Sequence, residues 1–360
     1  MNVHMSDDVS MSNVSVSEVT SCDKPKQPKQ PIAAIIYLTQ NTEVRRVYLK
    51  TSLYFLFRNF NDQFRYPVLI LHEDYDASAQ EEILMSVRSS CRDLISFVAI
   101  DDTDFTLPES VYRDKVERCI AMQPTPYWRN LRYRMMCRWW LVHMPKYVAA
   151  YDYVMRLDDD SIIEEPIKMD LFQWAQTKKL VYASNLIHVD CGQCCYGMKD
   201  FFLSITEAER RETMKKAFID QSINLRTVNH HSFRSLLSIT EPTKPLPANV
   251  TIDLPMPIMY YNNFHITQPA FWLRPDVKKT IDAIDATGNI FYYRWGDAPL
   301  QSLIVLMHAE PAQVDRCVFK YSKRLQREAF LGDDKKFYGF MPATYAESSC
   351  ITSKLNITEK

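Results

Sequence analysis

From residue 32 onward, short runs that are apolar at every position alternate with stretches whose apolar side chains recur every three or four residues. Residues 32–38, Ile-Ala-Ala-Ile-Ile-Tyr-Leu, have the pattern of a strand covered on both faces. Thr42 is placed to cap a helix reaching about Phe60, with Val44, Val47, Tyr48, Leu53 and Phe57 on its inner side. Residues 67–71 predict a second strand, 77–87 a second helix and 94–100 a third strand. Such alternation calls for right-handed crossovers and an α/β fold with a mainly parallel sheet.

Helices are predicted over 108–122 and 131–145, and a strand over 151–157 that runs straight into Asp158-Asp159-Asp160. An amphipathic helix is predicted over 204–218, and another over 275–286 with Pro near its start and Gly288 beyond its end. A last helix through Met307 takes Asp297 as its N-cap, while the proline-rich, polar stretch 222–262 reads as loop. Residues 1–31, polar and ending in a Pro/Lys linker, read as a disordered tail. The expected layout is one folded domain over 32–350, divided near 165, with a C-terminal tail at 351–360.

Composition narrows the function classes. Hydrophobic residues make up 46% and aromatic residues 12% of the 360, enough for a packed core. Lys+Arg 43 against Asp+Glu 44 leaves a formal charge of −1, which argues against a nucleic-acid partner or a polybasic membrane surface. No apolar run approaches the roughly 18 residues of a membrane span, and the N-terminus has early acids in place of a signal-peptide core. Nine scattered cysteines read as reduced thiols, and the sequons at Asn13, Asn249 and Asn356 carry little weight without an export signal.

Two clusters carry chemistry. The acids 158–160 follow a strand, where ligands of open α/β sheets bind. Their oxygens at i and i+2 suit Mn²⁺ or Mg²⁺ bridging to a diphosphate, and an ordinary solvated acidic turn is the alternative. Around 288–299, Arg294, Trp295 and two tyrosines precede Asp297, so the aspartate either caps a helix or belongs to a site for phosphate and sugar. A third group, His188, Cys191, Cys194 and Cys195, has zinc-ligand residue types but no second knuckle, and reads as a loop of reduced thiols. Trp139-Trp140 reads as core packing, and His230-His231 as surface.

The segments Arg156-Leu-Asp-Asp-Asp160, Tyr260-Tyr-Asn-Asn-Phe-His-Ile266 and Phe291-Tyr-Tyr-Arg-Trp-Gly-Asp-Ala-Pro299 occur in an order that resembles the fungal α-1,2-mannosyltransferases of glycosyltransferase family 15. Residues 32–73 and 133–138 are similar too, so the resemblance spans about 32–325. It implies a GT-A type nucleotide-sugar transferase fold, a mainly parallel sheet flanked by helices. It also implies retaining transfer of mannose from GDP-mannose to a glycan or glycoprotein hydroxyl, assisted by Mn²⁺ (or Mg²⁺). On that resemblance Asp158 and Asp160 hold the metal and donor, and Arg294, Trp295 and Lys323 contact the donor. Tyr133, His265 and Asp297 are the catalytic candidates.

The chain departs from the family twice. The family's Asn-Phe-Glu is Asn263-Phe264-His265, so no glycosyl–carboxylate intermediate can form at 265, although an imidazole can act as base or hydrogen-bond partner. The family's Gly-Tyr-His-His, which carries a metal histidine, is replaced by Lys320-Tyr-Ser-Lys323, whose charged lysine can lie beside a diphosphate. Another nucleotide sugar (GDP-fucose or a UDP-sugar), or a non-catalytic binding homologue, is the alternative. Family members work in the Golgi lumen behind a membrane anchor, and with no export signal here the expected location is the cytoplasm.

Overall fold

The computed structural model describes residues 30–123, 129–225, 231–244, 246–247, 249–323, 328–331 and 337–341. Residues 1–29 of the expected N-terminal tail, the C-terminal tail, His230 and the sequons at Asn13 and Asn356 lie outside these residues. The apolar run near the start forms β1 (Ala33–Thr39), followed by helix α1 (Glu43–Leu56), whose N-cap Thr42 accepts from the Arg45 amide. Then come β2 (Val68–His72), β3 (Ile95–Ala99) and β4 (Tyr153–Leu157). The seven-stranded sheet runs Val314–Arg316, Tyr182–Ser184, Phe264–Thr267, β4, β1, β2, β3. The β1–β2, β2–β3 and β1–β4 pairings are parallel, and Phe264–Thr267 runs antiparallel to both its neighbours.

The continuous apolar run of β1 has a direct cause. Ala34 and Ile36 enter the core on one sheet face, and Ala33, Ile35 and Tyr37 enter the core on the other. Strand side chains alternate, so a strand covered on both faces must be apolar throughout. From β1 the order runs to β2 on one side and β4 on the other. This is the topological switch at which a crevice opens beyond the carboxyl ends, here beside Thr39 and Asp158.

Two expectations are corrected. The helix predicted over 204–218 is two helices, Met198–Ile205 and Arg211–Lys216, joined by a short 3₁₀ turn. Thr206 breaks the run with extended backbone, and its hydroxyl donates to the Phe202 carbonyl at 2.6 Å, the competition that Thr offers a helix. The supposed loop 222–262 contains the helix His231–Thr240 and the strands Ser222–Asn224, Thr251–Asp253 and Met256–Tyr260. Met256–Tyr260 alternates between buried and half-buried positions in spite of its proline, because it lies between the short strands Ile187–Val189 and Phe218–Ile219. Among the described residues no helix is long and apolar enough to cross a membrane.

Candidate active site

β4 is buried along its whole length, yet it carries Arg156 two residues before the acidic triplet. A buried guanidinium must find partners. Arg156 donates to Asp297 at 2.6 Å and to Asp158 at 2.9–3.0 Å, and its carbon lies 3.8 Å from the centre of the Trp140 ring. Asn262 also donates to Asp297, at 2.8 Å, and to Gln301 at 2.9 Å, and Gln301 donates to the Trp140 carbonyl at 3.2 Å. That carbonyl sits in a wide π-type turn at Trp139–His143. The network fixes the floor of a cleft.

On sequence Asp297 is either a helix cap or part of a site for phosphate and sugar. The cap of Asp297–His308 is instead Gly296, and Asp297 is the first helical residue, its carboxylate turned to Arg156 and Asn262. Asp297 therefore belongs to the site.

Each acid of the triplet has cations beside it. Asp158 takes bonds from Arg156, from the Lys323 ammonium at 2.7 Å and from the Asn263 amide. Asp159 accepts from Thr39 at 2.8 Å and from Arg45 at 2.7 Å. Asp160 lies 3.3 Å from Lys323 and 4.0 Å from Arg45. Burial works to raise the Asp158 carboxyl, but Arg156 and Lys323 outweigh it and hold the group well below the usual carboxylate range. Burial wins at Asp159, lifting it to about 6.

Two adjoining cavities of 260 and 440 Å³ meet along a wall formed by Arg129, Tyr133, Met136, Asp158 and Lys323. The larger reaches Thr39, Arg45 and Glu73 beyond β1 and β2, and the smaller reaches Asp190, Asn262, Arg294 and Asp297. Tyr133 stands on the shared wall because Asn130 caps its helix, accepting from the Tyr133 amide at 2.9 Å. Arg294 has φ 75°, the left-handed region, and this turn carries its guanidinium to Asp190 at 2.9 Å.

The site thus brings together Tyr133, Asp158, Asp160, Arg294, Asp297 and Lys323 from the expected set. Trp295 and His265 line neither cavity. Trp295 is core, its indole donating to the Tyr196 carbonyl at 3.0 Å and its ring packed on Phe201. Its neighbour Arg294 takes the cleft-facing position.

His265 is 1% exposed within the sheet, stacked on Tyr182 at 5.0 Å, and its Nδ1 donates to the Asn262 carbonyl at 2.9 Å. The imidazole therefore positions Asn262 from beneath and does not face the cleft. Burial, then the nearby Arg156, lowers its pKa to about 3. The unfolded chain takes up this proton near 6.5 and the folded chain does not, so His265 weakens the fold as pH drops below 6.5. Compared with His265→Gln, the native protein should lose about 2 kcal/mol more stability between pH 6.5 and 5. Urea unfolding at both pH values measures this, and parallel losses would contradict it.

Among the described residues no three His, Cys, Asp or Glu side chains converge to hold a metal ion. Cys194 and Cys195 are buried, and exposed His188 accepts from the Val189 amide at 2.8 Å. Trp139 and Trp140 are both buried in edge-to-face contact, in keeping with packing. Sequence reasoning assigned no role to Arg156, Asn262 or Asp190. Arg156 carried a signal, a charge inside an otherwise apolar strand.

The acids 158 and 160 are the expected metal ligands, and their surroundings fit a divalent ion poorly. The Lys323 ammonium already lies between them, in contact with both.

Comparison with known proteins supplies the family. The pattern of the glycolipid 2-alpha-mannosyltransferases matches residues 2–318. A glycolipid 2-alpha-mannosyltransferase of Saccharomyces cerevisiae is 25% identical over 283 residues, 76% of this chain; the chain spans 56% of that relative's length. Among solved structures, a Saccharomyces cerevisiae mannosyltransferase in complex with GDP superposes with a TM-score of 0.64 at 16% identity, covering 92% of this chain and 83% of that one. Core-mannan synthase A of Aspergillus fumigatus, in its Mn/GDP form, gives 0.62 at 17% identity, covering 84% and 76%. The fold is therefore the GT-A type expected from the sequence. With the family's pattern matched across most of its length, the chain belongs to the glycolipid 2-alpha-mannosyltransferase family.

Proposed function

We propose that this protein transfers mannose from GDP-mannose to a glycan hydroxyl with retention of configuration. The observation that carries the reading is the cleft at the β1–β4 switch, where Arg294, Arg129 and Lys323 offer positive charge beside Asp297 and Tyr133. A family relative solved with GDP supports a guanosine diphosphate leaving group, and the Mn/GDP form of another supports a cation beside that diphosphate. The larger cavity, beyond β1 and β2, takes the nucleotide, and the smaller one takes mannose and acceptor.

Arg294 adds positive charge where the diphosphate leaves, and Asp297, fixed by Arg156 and Asn262, steadies positive charge growing on the sugar. His265 lies outside the cleft, which favours attack from the leaving-group face. The departing phosphate oxygen then takes the acceptor proton, and no covalent sugar–enzyme bond forms. The acceptor is a glycan or glycoprotein, and the cytoplasm is the proposed place of action.

The test is release of GDP and formation of mannosylated product from GDP-mannose, run beside GDP-fucose and UDP-sugars with mannosides as acceptors. Faster turnover of another sugar overturns the donor assignment. Tight GDP binding with no turnover of any pair makes the protein a binding homologue.

A further inference from the structure

We propose that the ammonium of Lys323 is a built-in cation for the donor diphosphate, so that this protein binds its nucleotide without a divalent metal. This rests on the reading of the cleft as a nucleoside-diphosphate-sugar site.

The placement is built by the backbone. The strand Tyr321–Lys323 pairs antiparallel with Ser161–Ile163, which sets Lys323 opposite Ser161, immediately after the triplet. The Tyr321 hydroxyl meets the Ser161 hydroxyl at 2.7 Å and secures that register. Lys323 Nζ then reaches Asp158 Oδ2 at 2.7 Å and Asp160 Oδ1 at 3.3 Å, bridging the carboxylate pair otherwise suited to a metal ion. It also lines both cavities, so the same ammonium faces the space a diphosphate would fill.

Local charge points the same way. Among the described residues lining the two cavities there are six carboxylates and six Lys or Arg cations. A cleft that waits for a dication carries an excess of acid, because the ion's charge has to be met. Here the triplet is already matched, by Arg45, Arg156 and Lys323. A dication would have to displace the ammonium from both carboxylates and then lie beside it.

In the transfer, the bond from the anomeric carbon to the phosphate oxygen breaks and GDP keeps the electron pair. The acceptor oxygen bonds to that carbon, and its proton passes to the departing phosphate oxygen. Lys323 offsets the charge that builds on GDP.

Calorimetry of GDP binding to the full chain, in EDTA and in Mn²⁺, tests this, with mannosyl transfer assayed under both conditions. The native protein should bind GDP within about twofold of the same affinity in each. Lys323→Ala should lose about tenfold or more in EDTA and recover in Mn²⁺, since its freed carboxylates can then take the ion. Lys323→Arg should keep metal-free binding. Native protein that binds GDP only with Mn²⁺ overturns the proposal while leaving the mannosyl reading intact, and this arm decides alone if the alanine variant fails to fold. Metal-free GDP binding without transfer from any donor removes the mannosyl reading and keeps the cation. GDP bound under neither condition removes both.

Discussion

Arg156→Met should lower the unfolding free energy by about 3–5 kcal/mol, the cost of stranding buried charge. The side chain is 2% exposed and bridges two carboxylates from different parts of the chain. Without it Asp158 keeps Lys323 and Asn263, but Asp297, deep in the structure, is left with neutral partners, the Asn262 amide and the Cys137 thiol. The Trp140 ring also loses its guanidinium partner. A urea midpoint shift with unchanged slope is the measurement. Adding Asp297→Leu should restore part of the loss, because removing both members of a buried pair costs less than removing one. A loss under about 1 kcal/mol for the single variant would contradict the network described here.

Gly192→Ala should cost about 3 kcal/mol, the upper range for overpacking. A Cβ at this position would overlap the carbonyl oxygen of Leu254, and that atom is backbone and cannot rotate away. Leu254 is itself held, its amide donating to the Gln221 carbonyl at 2.6 Å. The turn carrying Gly192 has to move, and it begins at Asp190, the partner of Arg294. GDP affinity should therefore fall along with the melting temperature. Gly197→Ala is the contrast: nothing lies near the added carbon, but φ is +74°, so only backbone strain of about 1 kcal/mol is expected. Equal melting temperatures for the two variants would remove the steric account.

The sheet was readable from sequence because its physics is local. A strand covered on both faces must be apolar throughout, and residues 32–38 are. The acidic triplet was readable because it interrupts such a strand at its carboxyl end. Orientation was not readable. Trp295 and Arg294 are adjacent and share one motif, yet one indole fills the core and one guanidinium faces the cleft. His265 sits in a motif beside Asn262, which lines the cleft, but its ring is stacked on Tyr182 in the packed interior. Sequence placed a lysine near the diphosphate, but its contact with Asp158 depends on pairing across some 160 residues. The merged helix at 204–218 failed for a local reason, since its amphipathic period runs on through a threonine that breaks the backbone.

Arg294 holds a backbone angle that glycine adopts freely and arginine resists. Glycine there would relax the turn by about 1 kcal/mol and remove one of the positive charges lining the smaller cavity. The Asp190 ion pair offsets that strain, so a glycine would exchange an eased backbone for a carboxylate deprived of this guanidinium.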